Sequence, residues 1–459
     1  MILVASMTFY GFWRPEFLVV IALSAFTDFV VAKHIDAATD DKVRWRWLMI
    51  SLAINLGLLV YFKYLFFFVD NAVATLNFIG FQNVRSPALS IILPLGISFY
   101  TFQTISYSID VYRKVIQAEK DFVLYGCFVT FFPQLVAGPI LRGSELLGQL
   151  SSRPKFQIKL FVSGLRRILF GLFLKVVIAD NLSPLVDFGF GQLLVDISAV
   201  DVVTLAFLFG FQIYFDFSAY SHIAIGSARL MGIVFPENFN FPYMASSPRE
   251  FWRRWHISLS SWIRDYLYLP LLGKKAWNRS IDGIVINTHE QHKDKRRPYT
   301  PLFVTWAIMG FWHGANWTFI LWGLIHATCI VVHRLVLAPA SRLPRFMRAW
   351  GGWAINLLVM MLAWIPFRAQ SVEVALKMYG KLFCLEEWLW LGMRENTYLV
   401  AAFLLGLVAL SFYVHESSER WFRTRRWLKF SAEVLVISAA TGLVFVFLRP
   451  INQFIYFQF

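Results

Sequence analysis

The sequence predicts an all-α, polytopic integral membrane protein, and its composition, apolar runs and aromatic content each point to this class. Of the 459 residues, 58% are hydrophobic and 15% are charged, whereas soluble domains carry about 25% charged residues. A soluble fold of this size could not bury so much apolar surface, but a bilayer is itself an apolar solvent. The 47 Phe and 18 Trp residues suit lipid-facing helices and the headgroup boundary. These features disfavour the alternative of an aromatic-rich soluble core.

Candidate transmembrane helices account for most of the chain. A spanning helix needs about 20 apolar residues. Segments that approach this length lie near 17–33, 47–69, 88–110, 122–141, 160–180, 200–231, 301–336, 351–368, 398–414 and 430–448. The stretches 200–231 and 301–336 are long enough for one kinked helix or for two segments each. We therefore expect one membrane domain over residues 1–459 with about 10–12 transmembrane helices.

Proline and glycine interrupt two of these spans. Pro94 and Gly96 break the first, and the second is broken by Pro133, Gly138 and Pro139. Such breaks free backbone polar groups, which are tolerated at membrane depth only inside protein or beside a wet cavity. We therefore expect re-entrant or interfacial helices around a central pore in addition to the spanning helices.

The charge pattern predicts the orientation of the chain. The net charge is +15, and the basic residues cluster in short loops between apolar runs. This pattern is typical of cytoplasmic loops, so we expect no nucleic-acid partner. Residues 245–299 should form an interfacial amphipathic helix followed by a basic cytoplasmic loop. A second basic cluster at 420–429 also predicts a cytoplasmic position, so the last helix should deliver an aromatic tail, residues 449–459, to the outer side.

His313 is the first candidate functional residue. It lies in the run Phe311-Trp312-His313-Gly314 between apolar segments. Ionisable residues at membrane depth are functional candidates by default. The alternative is a histidine that is hydrogen-bonded inside a helix bundle, since structural networks resemble sites.

His256 is the second candidate. Around it, aromatic and basic residues alternate at helical spacing, so that Phe251, Trp252, Trp255 and Leu259 would share one helix face. This pattern predicts an interfacial amphipathic helix. On that helix, His256 could point into the protein or into the headgroups.

Asp216 lies in the apolar run Tyr214-Phe215-Asp216-Phe217-Ser218 and needs a partner there. Tyr214, Ser218 or an Arg from a neighbouring helix could supply it. We interpret this position as part of a buried polar network that fixes helix packing.

Metal chemistry is not expected. His289 and His292 have a spacing that could bind a metal, but no further ligands accompany them, so a solvated loop is the better interpretation. The three cysteines are far apart and indicate neither a metal site nor a disulfide framework. Four further histidines lie alone or near the ends of apolar runs, and we assign no role to them: His34, His326, His333 and His415.

Several long motifs resemble those of the AlgI-type membrane-bound O-acyltransferases, the alginate and exopolysaccharide O-acetylation branch of the family. The similar segments, in the family's order, are 93–102, 109–113, 132–140, 214–218, 237–243, 250–270 and 311–315. The resemblance implies the fold of that family, with His313 as its essential histidine and His256 as its second histidine. Three features depart from the family pattern: one helix fewer before Met1, Ala219 and His222 in place of Gly and Asp, and a longer 273–299 loop.

The resemblance also implies substrates and partners. The donor would be a cytoplasmic acyl thioester, in the first place acetyl-CoA, and no bound cofactor is expected. An extracytoplasmic SGNH-type acetyltransferase would then transfer the acyl group to an exported polysaccharide. The chain would lie in the bacterial cytoplasmic (inner) membrane.

The C-terminus provides a further candidate, Tyr456. The ending Phe454-Ile455-Tyr456-Phe457-Gln458-Phe459 resembles the Phe-x-Tyr-x-x-Phe tail of the small acyl-carrying membrane peptide of teichoic acid systems. An aromatic membrane anchor is the alternative. If the resemblance holds, Tyr456 relays the acyl group on the outer side.

The expected chemistry is acyl transfer, with His313 as general base and His256 orienting the donor or polarising its carbonyl. Transport is an alternative, because broken helices and polar groups at mid-membrane also occur in transporters. A non-catalytic assembly subunit of a polysaccharide-modification complex is another. Within the enzyme class, the acceptor could be a lipid or a protein.

Overall fold

The fold is helical throughout the part of the chain that the structure covers. A computed structural model describes residues 1–81, 83–88, 91–136, 138–152, 155–192, 194–273, 299–337, 345–384, 390–423, 426–448 and 454–455. These residues form helices, turns and loops, with no strand among them. The all-α prediction is therefore confirmed.

Twenty-one α-helices follow one another along the described residues. They are α1 (Ile2–Gly11), α2 (Phe17–Ala37), α3 (Asp41–Leu59), α4 (Leu65–Phe78), α5 (Ile97–Tyr112), α6 (Phe122–Thr130), α7 (Phe132–Leu135), α8 (Gly143–Ser151), α9 (Ile158–Leu172), α10 (Asp180–Phe190), α11 (Ala199–Leu230), α12 (Pro248–Arg254), α13 (Ile257–Ile263), α14 (Leu269–Leu271), α15 (Thr300–His313), α16 (Trp317–Val332), α17 (Arg345–Leu362), α18 (Ile365–Arg368), α19 (Val372–Lys381), α20 (Glu395–Arg423) and α21 (Arg426–Phe447). Wider π-helical turns continue several of them, at Val60–Tyr64, Phe173–Ala179, Arg264–Tyr268 and His333–Leu337.

Helices long and apolar enough to cross a bilayer support a multi-pass membrane protein. Among the described residues there are five: Phe17–Ala37, Asp41–Phe78, Ala199–Leu230, Trp317–Val336 and Ala349–Arg368. Shorter apolar helices occur at Ile2–Gly11, Glu395–Ser411 and Val434–Phe447.

The two longest predicted runs have different outcomes. Residues 200–231 lie almost entirely in the single 32-residue helix α11. The run 301–336 contains two helices, because α15 ends at His313 and Asn316 caps the next helix by accepting a hydrogen bond from the backbone N–H of Thr318. The run 200–231 therefore forms one helix, and the run 301–336 forms two.

The chain divides into two compact units. Unit 1 comprises residues 1–161, 228–236 and 261–298, and unit 2 comprises residues 162–227, 237–260 and 299–459. In unit 1, α2, α3 and α5 enclose a fully buried carboxylate, Asp28. It accepts hydrogen bonds from Ser51, from Asn55 at 2.6 Å and from Ser108 at 2.9 Å. Neutral donors from two other helices thus satisfy the carboxyl oxygens and join the three helices.

Unit 2 contains both histidine motifs. Within it, α15 and α16 pack unusually closely through reciprocal glycines. A Cβ built on Gly310 would lie 2.1 Å from the backbone oxygen of Phe319, and one built on Gly323 would lie 2.1 Å from that of Trp306. Small residues allow helix backbones to approach in this way in membranes. The histidine at the end of α15 is therefore held against the side chains of α16.

The segment 245–263 differs from the single amphipathic helix expected there. Helix α12 ends at Arg254, and α13 begins at Ile257. Between them His256 has a φ of +40°, a left-handed conformation that interrupts a helix. Phe251, Trp252, Trp255 and Leu259 are all buried, and residues 251–259 belong to unit 2. The basic loop residues 274–298 lie outside the described residues.

The α15–α16 contact yields a stability prediction. Gly323→Ala places a methyl group against a backbone oxygen that cannot rotate away, so overpacking should lower the free energy of unfolding by about 1–3 kcal/mol. Gly351→Ala is the control, because nothing lies within 4 Å of a Cβ at that position. Thermal unfolding in detergent should show a lower midpoint for the first variant and an equal or higher one for the second. Equal midpoints for Gly323→Ala and the wild type would contradict the close packing.

Candidate active site

His313 is the last residue of α15 and is buried, with 4% of its surface exposed. Its ring lies edge-to-face against Trp322 of α16 at 5.1 Å between centroids, and against Phe367 of α18 at 5.3 Å. The close packing of α15 on α16 produces the first of these contacts. The predicted functional histidine is therefore inside the protein, within an aromatic surround.

His256 is fully buried and lies in the turn between α12 and α13. The oxygen of the Asn238 side chain is 3.1 Å from Nδ1 of His256 and also accepts a hydrogen bond from the Ser258 hydroxyl at 2.9 Å. The amide group of Asn238 in turn donates to Ser221 at 3.0 Å. Of the two directions left open by the sequence, the ring therefore points into the protein.

These hydrogen bonds indicate which nitrogen of His256 carries the proton. The Ser258 hydroxyl is 3.5 Å from Nδ1 of His256 but only 2.9 Å from the Asn238 oxygen, to which it donates. The backbone N–H of Ser258 also points at the Asn238 side-chain oxygen, at 3.4 Å, which supports the assignment of that atom as oxygen. An oxygen acceptor requires a proton on Nδ1, so in the neutral ring Nε2 has a free lone pair. Burial lowers the pKa of His256 to about 3, which keeps the ring neutral at pH 7. Its Nε2 has no hydrogen-bond partner among the described residues.

His326, to which the sequence assigned no role, lies in the same aromatic region as His313. It is fully buried on α16, one helical turn after Trp322, with ring centroids 4.7 Å apart. The Trp252 indole N–H donates to its Nδ1 at 3.3 Å. The indole–imidazole cluster, as we name it, comprises Trp252, Trp306, Trp322, Trp364, His313 and His326. In the sequence, His326 is distinguished only by its position within an apolar run. A structural histidine can occupy such a position as well.

Aromatic contacts also connect the segment of His256 to this cluster. Trp255 precedes His256 and packs on Trp364 with centroids 4.9 Å apart. Trp364 stacks on Trp322 at 5.8 Å, and Trp322 contacts His313. The structure therefore brings the two predicted histidines into one continuous aromatic core of unit 2.

Asp216 has a partner that the sequence analysis missed. Lys175 lies 2.8 Å from its Oδ1 and 2.9 Å from Asp180. The lysine comes from the π-helical turn between α9 and α10 and is 3% exposed. The expected partners were Tyr214, Ser218 or an arginine. A single lysine in an apolar helix gives no local indication of which carboxylate it will pair with.

The described part of the C-terminal tail is bound inside unit 2. The backbone N–H of Ile455 donates to Oδ2 of Asp216 at 2.8 Å. The Phe454 ring packs on Phe217 at 5.5 Å and on Tyr220 at 4.4 Å. Phe217 also contacts the His256 ring at 4.6 Å, so the tail and His256 share a neighbour. Tyr456 itself lies outside the described residues.

Among the other polar candidates, the structure describes the side chain of His222. His222 packs edge-to-face on Phe170 at 4.9 Å. His289, His292 and His415 fall where the structure describes no side chains. In the described part of the chain, no three His, Cys, Asp or Glu side chains form a group that could hold a metal ion.

Comparison with known proteins identifies the family. A sequence profile described as the MBOAT, membrane-bound O-acyltransferase family, matches residues 114–282. The Azotobacter vinelandii protein named "Probable alginate O-acetylase AlgI" is 38% identical over 417 residues, which are 90% of this chain and 79% of that relative. Its namesake in Pseudomonas aeruginosa is 39% identical over 389 residues, 84% of this chain and 70% of the relative.

A third relative has a different substrate in its name. The Helicobacter pylori "Peptidoglycan O-acetyltransferase" is 32% identical over 504 aligned positions, which cover 100% of this chain and 91% of that protein. Identities of this size over most of both chains confirm the resemblance seen in the motifs. The chain is a multi-pass membrane O-acyltransferase and belongs to the membrane-bound O-acyltransferase family.

Proposed function

We propose that this protein transfers an acetyl group from a cytoplasmic thioester, acetyl-CoA, across the membrane for O-acetylation of an exported polysaccharide. The observation that carries the proposal is the C-terminal tail, which is held by Asp216 beside a phenylalanine that also contacts His256. A chain that only transported a solute or assembled partner enzymes would have no need for an aromatic tail in that position.

The names of the relatives support the acetyl group and the polymer. Two are named for alginate and one for peptidoglycan, and both polymers present sugar hydroxyls as acceptors. We place the protein in the bacterial cytoplasmic membrane, where thioester and polymer lie on opposite sides. A separate extracytoplasmic SGNH-type acetyltransferase would then move the acetyl group onto the polymer.

His313 acts as the general base in this proposal. Its imidazole takes the proton of the attacking hydroxyl while the hydroxyl oxygen forms a bond to the acyl carbon. The carbon–sulfur bond then breaks, and the imidazole returns the proton to the leaving thiolate. The aromatic side chains packed around His313 exclude water, which would otherwise compete with the hydroxyl group as the acceptor.

For His256 we propose a narrower role than the two considered from the sequence, which were to orient the donor or to polarise its carbonyl. Its Nδ1 hydrogen is directed to Asn238, so Nε2 offers a lone pair and no proton. A lone pair can accept a hydrogen bond from a hydroxyl group, but it cannot polarise a carbonyl oxygen. We therefore assign His256 to orienting a hydroxyl group, and leave the carbonyl to another donor.

The tail supplies the hydroxyl group. Tyr456 follows Ile455, whose backbone N–H is bound by Asp216, and its phenol oxygen is a suitable acceptor for an acetyl group. The acyl donor would be attracted by the basic segment near residues 249–279, in which Arg249 and Arg253 are exposed. Positive charge in that segment would attract the phosphates of the donor.

Removal of the base tests the catalytic role. His313→Ala should lower the rate of acetyl transfer by about 10²–10⁴-fold, which is the usual contribution of a general base. His333→Ala is the control, because it removes a half-buried histidine that follows α16. The rates are those of a single turnover, in which radiolabelled acetyl groups pass from acetyl-CoA to the purified protein. Acetylation at the wild-type rate by a folded His313→Ala protein would refute the role of His313.

The relay is tested on the tail itself. Mass spectrometry of the C-terminal peptide, after incubation with acetyl-CoA, should detect one acetyl group on Tyr456. Tyr456→Phe should abolish it, whereas Tyr379→Phe, which removes a phenol bonded to the backbone of Leu362, should leave it unchanged. A peptide that stays unmodified in an active wild-type enzyme would exclude the relay.

The Asp216 contact gives a separate prediction. Asp216→Leu removes the acceptor of the Ile455 N–H and should abolish tail acetylation. Breaking a buried ion pair also destabilises a protein by about 3–5 kcal/mol, whereas replacing both partners with apolar residues is often neutral. The variant Lys175→Met/Asp180→Asn/Asp216→Leu, which also neutralises the second carboxylate paired with Lys175, should therefore recover thermal stability without recovering tail acetylation. Recovery of both would mean that Asp216 acts through stability alone.

A further inference from the structure

We propose that His326 is a further catalytic residue, which donates its Nε2–H hydrogen to the acyl carbonyl oxygen as negative charge develops there. The inference rests on the proposed acyl transfer and fills the role that the tautomer of His256 leaves open. The indole N–H of Trp322, one helical turn earlier, is a second donor to the same oxygen in this proposal.

The hydrogen bond from Trp252 determines the tautomer of His326. An indole nitrogen can only donate a hydrogen bond, so the Nδ1 atom that lies 3.3 Å from it must accept one. A protonated imidazolium has hydrogens on both nitrogens and could not accept. The ring is therefore neutral, and its single N–H hydrogen is on Nε2.

This Nε2–H has no partner among the described residues, although only 1% of the surface of His326 is exposed. The same is true of the Trp322 indole N–H. An unsatisfied buried donor costs about 1–3 kcal/mol, so two of them on one face of α16 are expensive for a purely structural core. A bound oxygen atom that carries negative charge would satisfy both.

The position of these donors fits the reaction. Trp322 contacts the rings of both His313 and His326, at 5.1 Å and 4.7 Å between centroids. The proposed base and the proposed donors thus share one indole. His256 and His326 have opposite tautomers, with a lone pair on Nε2 of the first and a hydrogen on Nε2 of the second. One of them can accept from a hydroxyl group while the other donates to a carbonyl.

The proposed step balances as follows. The acceptor hydroxyl oxygen bonds to the acyl carbon, its proton moves to His313, and the carbonyl π pair moves onto oxygen. His326 and Trp322 donate hydrogen bonds to that oxyanion. When the carbonyl re-forms, the carbon–sulfur bond breaks and the thiolate takes the proton from His313.

His326→Phe tests the donor, because it keeps an aromatic ring and removes the N–H. Loss of one oxyanion donor lowers the rate of the chemical step by about 10²–10³-fold. We expect a loss of this size in the single-turnover rate of acetyl transfer by the full-length protein. His326→Gln should recover part of the activity, since its amide also donates. His333→Phe, the same change two turns further along, should retain the wild-type rate.

Ligand binding separates a catalytic donor from a packing residue. S-Acetonyl-coenzyme A retains a carbonyl without a transferable acyl group, whereas S-ethyl-coenzyme A has no carbonyl. His326→Phe should weaken binding of the first by about tenfold, because it removes one hydrogen bond, and should leave the Kd of the second unchanged. Equal effects on the two analogues would overturn the proposal.

Trp252→Phe provides a test that leaves His326 in place. Loss of the indole N–H frees the His326 tautomer, so kcat should fall several-fold. In the His326→Phe background the same change should have no further effect. Additive losses in the double variant, or activity of a folded His326→Phe protein within threefold of wild type, would refute the role of His326. If His326→Phe does not fold, the Gln and Trp252→Phe variants decide by the same analogue measurements.

If the proposed acyl transfer itself is wrong, the variants should give a different pattern of results. If the wild-type protein does not turn over acetyl-CoA and His313→Ala is indistinguishable from it, the proposed reaction is wrong. If the wild type is active and His313→Ala is not, but the His326 variants match the wild type, only the inference about His326 is wrong.

Discussion

The close approach of α15 and α16 is the contact on which the arrangement of unit 2 depends. Gly310 and Gly323 allow backbone of one helix to meet backbone of the other, which no larger residue would permit. Because the helices are this close, His313 at the end of α15 reaches Trp322 on α16. The same helix presents His326 one turn later, and the remaining indoles of the cluster pack around these two rings.

A second constraint is the cost of polar groups in an apolar interior. In unit 2, ion pairs and a backbone hydrogen bond offset this cost for the charged groups. Lys175 is paired with two carboxylates, and Asp216 also accepts the backbone N–H of Ile455. By contrast, Nε2 of His256 and Nε2 of His326 are without partners among the residues described. The second pair of atoms comprises a lone pair and a hydrogen, which are the two kinds of group that our proposal for acyl transfer uses.

Much of the fold could be predicted from the sequence, because apolar runs report directly on helices that cross a bilayer. Motifs singled out His313 and His256 in the sequence, and the structure places both inside the protein; their catalytic roles stay predictions. The helix break at His256 could not be predicted, since a positive φ at a histidine has no sequence signature. Neither could the ion pair of Lys175 or the tautomer of His326, because each depends on a partner far away in sequence: Asp216 for the first and Trp252 for the second.

The anchoring of the tail through a main-chain N–H has a consequence for how this segment can vary. Asp216 binds the peptide group of residue 455 and not its side chain, so this bond places no demand on the chemical identity of that residue. It does demand a fixed number of residues between α21 and the anchor. Substitutions in the tail should therefore be tolerated more readily than an insertion or deletion of one residue, which would present a different peptide group to the carboxylate and shift every aromatic side chain beyond it.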